Sequence, residues 1–567
     1  MKNIIILIAI LLSQSYINAQ QLEWAFGIGS TDIDASDKVK NIVSDTLNNI
    51  YVAGTFEDIA DFDGTSGGYF MNAYGTNSTY NDLFLAKYSK DKNLIWAFKL
   101  SGIKDDEPNS IAVDNDQNVY LSGTIQSSSV WDSIDFNPNA GIVNIALGST
   151  INFIAKYDIN GNLMWLNDTL LADFMEVDDN GNLFCLIGGD VRKFDSNGNM
   201  LWNVTMPTAI ADISIEDDGD FLVSGMSTSW GSVDLDPGTG THMVNMSNGF
   251  TYVSRFDNNG VFEDAFEIEW SSSISYVTPY GLKSLSNGGV VISGYFSDSA
   301  DFDPSSGAFV LTPVKDPLSI ISNQKNTFFA KYDSLGNLFW SKQISGDNYN
   351  LGMDVDAGEN IYLNGKLDYN ANSDFDPGVG IYLLYSEATD YVAKYNGSGD
   401  LTWVAGFEPI NTGSGNYSAW FNGFEVDKLG NAYLVGQFTN RNNDFIDFDP
   451  DPTNDFNLFC YGTSSQSDGD GFVLKLSPWA VGIENEEVNG TVQVYPIPAK
   501  EEVNIELNHY PEYVNMQLFD VSGKVFYNHT YSKVNSISLN INNLPSGLYF
   551  IQLIINEDVS VRKFIKE

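Results

Sequence analysis

The residues best suited to chemistry are aspartates in pairs. Asp-Phe-Asp-Pro occurs at Asp301–Pro304, Asp374–Pro377 and Asp447–Pro450, with variants at Asp61–Gly64, Asp135–Pro138 and Asp234–Pro237. Strand-like alternation puts both acids on one side and Phe or Leu on the other. Paired carboxylates beside main-chain carbonyls suit a hard cation. Asp61, Asp63, Asp234, Asp236, Asp301, Asp303, Asp374, Asp376, Asp447 and Asp449 are therefore candidate Ca2+ ligands. The same residues also suit a plain loop, in which Asp makes an Asx turn, Pro fixes the next φ and Phe pins the insertion. The chain has no complete Asp-x-Asp-x-Asp-Gly loop with a distal Glu, the pattern that would decide for the metal.

Other chemistries are thinned out by composition. Three His and two Cys in 567 residues remove most zinc, thiol and imidazole chemistry. His242 is the one histidine ahead of residue 480, so a Ser-His-Asp site there is nearly excluded. Carboxylate pairs for glycoside cleavage stay open, but 74 acids offer so many pairs that none is informative. Lys+Arg 28 against Asp+Glu 74 gives a net charge of −46, which repels phosphate backbones and excludes nucleic acid as a partner.

The elements that must position these residues repeat along the chain. Asn-x-Tyr/Phe-x-x-Gly recurs at Asn49–Gly54, Asn118–Gly123, Asn360–Gly365 and Asn431–Gly436, with looser copies ending at Gly188, Gly225 and Gly294. A second phrase follows each, as in Phe153-Ile-Ala-Lys-Tyr157, and carries a cation: Lys87, Lys156, Lys193, Arg255, Lys331, Lys394 and Lys475. Its expected role is to pair a carboxylate on an adjacent strand or blade. A third phrase ends in Trp96, Trp165, Trp202, Trp340 or Trp403. The last copy has no Trp strand, but Leu22-Glu-Trp-Ala-Phe26 stands alone near the amino terminus. The array is thus offset by one strand, as a closed ring requires. The expected fold is all-β: a seven-bladed β-propeller over 20–480 with four-stranded blades. The N-terminal strand closes the last blade. A spacing of 37 between Gly188 and Gly225 marks the third copy as bare of its insertion. The rival is an open β-solenoid, which would want capping units.

The ends carry an address. Residues 1–19 read as a signal peptide, with Lys2, the apolar run Ile4–Leu12 and a cleavage residue Ala19. No other run is long enough for a transmembrane helix. Cys185 and Cys460 fall in distant repeats and read as separate buried thiols. Residues 481–491 read as a linker. From 492 to 567 short alternating strands predict a small C-terminal β-sandwich.

Two resemblances add to this. Val494-Tyr-Pro-Ile-Pro-Ala499, Leu518-Phe-Asp-Val-Ser-Gly-Lys524, Leu544-Pro-Ser-Gly-Leu-Tyr549 and Arg562-Lys-Phe-Ile-Lys566 resemble the type A C-terminal sorting domain of the type IX secretion system. Ile497 stands where that family usually has Asn. The resemblance implies the type IX secretion machinery as partner of 492–567. It places the mature protein outside, secreted or on the outer surface of a Gram-negative bacterium. The repeats resemble the SBBP-type propeller repeats of secreted bacterial proteins, a family that implies no single activity. The reading favoured is a binding or interaction module with a glycan or protein ligand on its acidic face. The alternative is an extracellular carbohydrate-active enzyme using a carboxylate pair.

Overall fold

The computed structural model describes residues 21–477 and 492–566, apart from short stretches within them such as 128–131, 315–323, 408–417 and 460–468. The proposed signal peptide, the linker 481–491 and Cys460 lie outside the described residues. The chain divides into two compact units, Met1–Pro478 and Trp479–Glu567.

The larger unit is all-β and built from antiparallel quartets of strands. One quartet is Lys38–Ser44, Ile50–Phe56, Asp82–Tyr88 and Leu94–Leu100, hydrogen-bonded in that order. Further quartets start at Glu107–Val113, Phe174–Val177, Ala209–Ile215, Val277–Ser284, Asn348–Val355 and Ser418–Val426. These are called the first to seventh repeats below. The chain supplies three strands of the seventh repeat locally. The fourth is Gln21–Ser30, antiparallel to Asp470–Ser477 with Trp24 opposite Lys475. Trp96, Trp165, Trp202, Trp340 and Trp403 stand opposite Lys87, Lys156, Lys193, Lys331 and Lys394 in the same register. The displaced strand therefore fills its place residue for residue.

The first strands of successive repeats touch in turn, and that of the seventh touches that of the first. Apolar residues fill the space between neighbours rather than one central core. Tyr51 and Leu85 pack with Ile111, Leu121 and Phe153, whereas Trp24, Phe26 and Val473 pack with Ile42, Val52 and Phe84. Strands buried on both faces explain the near-continuous apolar runs, such as Ile50–Phe56, which is buried throughout.

The marker glycines have a steric cause. A β-bulge in the first strand brings a carbonyl toward the second strand. A Cβ at Gly436 would run into the carbonyl oxygen of Trp420, and one at Gly294 into that of Thr278. The third repeat has no such bulge. There Gly188 does a different job, taking φ 59° in a two-glycine turn with no atom nearby that a Cβ would meet. The insertions are more ordered than loops. Ile59–Asp61 pairs with Phe70–Asn72, and Gly29 and Ser30 pair with Asp61 and Ala60, so the ribbon of the first repeat continues the strand that closes the seventh.

In the smaller unit, Val492–Tyr495, Glu502–Leu507 and Ser536–Asn540 form one sheet. Val525–Ser532, Tyr513–Asp520, Gly547–Ile555 and Asp558–Lys566 form another. Val503, Ile505, Met516, Leu518, Ile551 and Leu553 share one core between them. Among the described residues no helix is long and apolar enough to cross a membrane.

Trp24 is 5% exposed, and its indole N–H reaches the carbonyl of Lys90 in the first repeat at 3.2 Å. Trp24→Ala is expected to destabilise the protein by about 3–5 kcal/mol, the cost of emptying a large buried site. The measurement is the urea midpoint. The exposed Met164→Ala serves as control and is expected to shift stability by less than about 0.5 kcal/mol.

Candidate functional site

The paired aspartates fold as loop staples. Asp301 Oδ1 accepts the N–H of Asp303 at 3.1 Å and of Phe309 at 2.8 Å, closing the loop on itself. Asp61 does the same with Asp63 and Tyr69, Asp234 with Asp236 and His242, Asp374 with Asp376 and Tyr382, and Asp447 with Asp449 and Phe456. The second aspartates accept N–H groups two residues on, as Asp63 does from Thr65 at 2.9 Å, Asp303 from Ser305 at 2.9 Å, and Asp236 and Asp376 from Gly238 and Gly378 at 2.7 Å. Between each pair Phe62, Leu235, Phe302, Phe375 or Phe448 is wholly buried. The Tyr332 hydroxyl donates to the Phe302 carbonyl at 2.9 Å, pinning the loop to the third strand. Among the described residues no third acidic side chain joins these pairs at metal-binding spacing.

The recurring cations lie inside. Lys156 is 2.9 Å from Asp114 and Lys193 is 3.1 Å from Asp178, with both members of each pair almost fully buried. The acid comes from the turn between the first and second strands. There Asp114 Oδ1 also accepts the N–H of Asp116 and Asn118, and Asn118 Nδ2 donates to Oδ2. Lys156 Nζ lies 4.7 Å above the Tyr120 ring, and the Tyr120 hydroxyl reaches the carbonyl of Gly181 in the next repeat at 3.1 Å. The Trp165 indole likewise donates to the carbonyl of Ser196 in that repeat. In the first and second repeats cation, turn acid, Tyr and Trp thus form one lattice that binds the repeat to its neighbour. Lys475 and Lys331 depart from the rule: Lys475 pairs with Glu23, on the strand that closes its repeat, and Lys331 with Glu359 in the turn of the sixth repeat, its own turn Leu285–Gly289 carrying no acid.

A second set of charges lies outside the repeated phrases, because the position varies from repeat to repeat. Val43, Ala112, Glu176, Ser214, Lys283, Asp354 and Glu425 occupy equivalent places on the seven first strands, opposite Tyr51, Tyr120, Phe184, Leu222, Val291, Tyr362 and Tyr433 in register. They reach across to the next repeat. Asp354 Oδ2 accepts the N–H of Val426 at 2.8 Å, Glu425 Oε1 that of Ser44 at 3.2 Å, and Ser214 Oγ that of Ser284 at 2.9 Å. The bond from Glu425 to Ser44 joins the seventh repeat to the first. Lys283 sits 3.3 Å from Asp354, whose charge, with Glu176, Glu425 and Asp212, holds the ammonium well above its usual range despite burial. Burial, partly offset by Lys283, pushes Glu176 and Asp212 up to about 7 and raises Glu425 as well. Chemically the set can hold protons near neutral pH, but its bonded oxygens are committed to main-chain N–H groups.

At the opposite end of the first strands the surface turns aromatic. Tyr280, in the bulge of the fifth repeat, is 42% exposed and lies 5.7 Å from Tyr295, which is 6.4 Å from Tyr276 and 6.2 Å from Tyr349. Lys325 Nζ stands 4.6 Å from the Tyr295 ring and 4.9 Å from that of Tyr349. This edge also launches the paired-aspartate loops, since Asp301 follows closely on the strand that carries Tyr295.

The terminal unit decides the address. Residues 493–567 match the secretion system C-terminal sorting domain. This sorting domain marks the protein for secretion to the cell surface or extracellular space of a Gram-negative bacterium of the Bacteroidetes type, and it implies engagement with the type IX machinery. Over 395 residues, 63% of this chain, the protein is 24% identical to an uncharacterized WD repeat-containing protein of Acanthamoeba polyphaga mimivirus. The chain covers only 26% of that relative's length. Among solved structures, a protein of unknown function from Dyadobacter fermentans is similar at 10% identity and a TM-score of 0.30, covering 80% of this chain and 98% of its own. A gluconolactonase from Xanthomonas campestris is similar at 10% identity and a TM-score of 0.26, covering 64% and 90%. At such scores these two likenesses bear on neither fold nor chemistry.

The raised Glu176 makes a signed prediction. Its folded value of about 7 lies above the ordinary 4.5, so its contribution to stability is fully present below about pH 4.5 and is lost as pH rises through about 7. Glu176→Gln, which cannot ionise, is expected to gain melting temperature relative to the parent between about pH 5 and 8. Parallel melting curves whose separation is constant across that range would contradict it.

Proposed function

We propose that the protein is a secreted, SBBP-type seven-bladed β-propeller that works as a binding module outside the cell. In this reading a signal peptide over 1–19 is removed, 481–491 is a linker, and the terminal sandwich directs export. The strand exchange between Gln21–Ser30 and Asp470–Ser477 and the turn-by-turn contact of the first strands support the propeller.

The observation that carries the binding role is the tyrosine cluster Tyr276, Tyr280, Tyr295 and Tyr349 beside acidic loops. Aromatic faces with one edge in water, next to carboxylates that accept hydroxyl protons, suit a glycan. Carboxylate-pair catalysis is the second reading, favoured by the raised Glu176 and Glu425. Against it, Glu425 and Asp354 are bonded to the main chain of the next repeat.

Screening the full chain against immobilised glycans and basic proteins tests the module. Glycan binding that falls at least about tenfold in Tyr280→Ala supports it, by loss of a stacking face. Binding unchanged by Tyr280→Ala and Tyr349→Ala, or confined to basic proteins, removes the glycan site. Export is tested separately. In a type IX-competent host, removal of 493–567 is expected to leave the protein in the periplasm, and continued appearance at the surface would refute the assignment.

A further inference from the structure

The fourth repeat, like the fifth with its acid-free Leu285–Gly289, departs from the rule of the turns. In five other repeats the turn between the first two strands runs from an Asp to an Asn four residues on. At Asp45, Asp114, Asp178, Asp356 and Asp427 the Asn amide donates to the second carboxylate oxygen, at 2.9, 2.9, 2.7, 2.9 and 2.6 Å. At Asp356 and Asp427 a Tyr hydroxyl two residues further on adds a bond to the same oxygen, at 3.0 and 3.1 Å. The fourth repeat reads Glu216-Asp-Asp-Gly-Asp220 instead, with Leu222 where the Tyr would be. An amide donor has become a carboxylate, and the hydroxyl has gone.

Arg255 is the cation that pairs with this turn, and Lys193 reaches the side chain of Asn258 beside it. Arg255 Nη1 donates to Glu216 Oε2, while Nη2 is turned away to the carbonyl of Gly288 at 2.7 Å. Glu216 Oε1 has no hydrogen-bond partner among the described residues, although the side chain is only 10% exposed. Leaving a carboxylate oxygen buried and bare is costly unless something positive meets it. Oxygens of Glu216, Asp218 and Asp220 lie within 4.8 Å of one another. Two ligands across a calcium ion, each at about 2.3–2.6 Å, span much the same distance. The carboxylates are also held in place. Asp218 Oδ1 accepts the N–H of Asp220 at 3.1 Å, and Asp220 Oδ1 that of Asn258 at 2.8 Å. Nearby Glu263 has its carboxyl raised by burial and by the charges of Asp220, Asp257 and Asp218, with Arg255 offsetting part of the rise, so the field at this corner is net negative.

We propose that Glu216, Asp218 and Asp220 form a calcium site, in which the ion takes the place of the Asn and Tyr donors used elsewhere. Calcium fits better than magnesium, because it tolerates an irregular set of oxygens completed by water. This site is separate from the paired-aspartate loops and does not depend on the glycan reading.

A luminescent ion tests it. The Trp202 indole donates to the Asn258 carbonyl at 3.1 Å, so it lies one residue from Asp220 and can sensitise Tb3+ bound there. The full chain, stripped with EDTA and desalted, is titrated with Tb3+ under tryptophan excitation and then competed with Ca2+. Saturable emission displaced by Ca2+, with a melting temperature raised by millimolar Ca2+, is expected. Asp218→Asn with Asp220→Asn restores the Asn of the other turns. It is expected to fold, to match or exceed the parent's melting temperature without calcium, and to bind Ca2+ at least about tenfold more weakly, through lost ligand charge. Trp202→Phe is expected to dim the emission and leave the calcium affinity, measured by calorimetry, unchanged. Absence of saturable binding in the parent, or parental calcium affinity in the double variant, overturns the proposal. So does loss of calcium binding in Asp301→Asn with Asp303→Asn instead.

Discussion

An array of antiparallel sheets is exposed at its two ends, and everything here depends on how those ends are covered. A chain that simply stacked quartets would leave an unpaired strand edge on the seventh repeat, a template for aggregation. Gln21–Ser30 covers that edge by pairing with Asp470–Ser477, and its last residues also pair with the ribbon of the first repeat. A single ten-residue strand therefore ties the beginning of the array to its end twice over. The contact is cooperative: Trp24 and Phe26 pack in one cluster with Val52 and Phe84, so loosening the strand exposes the first repeat as well as the seventh.

Charge is distributed to serve the same joints. A chain with 28 basic residues and 74 acidic ones places many of its cations indoors. Lys87, Lys156, Lys193 and Lys475 are buried, each beside a carboxylate and above an aromatic ring. A buried pair gives little net stability over an apolar pair, but removing one partner is severe, so the lattice specifies how repeats meet more than it strengthens them. One result is a surface left more acidic than the composition alone implies. Such a surface keeps a secreted protein soluble and draws cations and basic partners. The fourth turn gathers three of these acids around an unmatched oxygen of Glu216.

Much of this was legible in the residues. The Trp phrase at Leu22–Phe26 announced its own displacement, and the register Trp24 opposite Lys475 answers it. The paired aspartates read more readily as loop staples than as calcium ligands; the geometry shows the stapling bonds, which depend on N–H groups eight or nine residues away that no local pattern names. Gly188 looked like a marker glycine but serves a turn, because the bulge that makes the marker necessary is missing from the third repeat. The first-strand set Glu176, Lys283, Asp354 and Glu425 was invisible, since its position holds a different residue in almost every repeat.

What the amino-acid order determined by itself is local and periodic: strand content, turn chemistry, the bare third copy and the sorting signals at the carboxyl end. These follow from side-chain alternation and from backbone preferences of Gly, Asn, Asp and Pro, which act over a few residues. What only the tertiary structure decided is which repeats' side chains meet. Glu425 bonds to Ser44 across 381 positions, and Trp24 reaches Lys90. Such contacts depend on the curvature with which sheets pack side by side, and that geometry is a property of the assembled array rather than of any one copy.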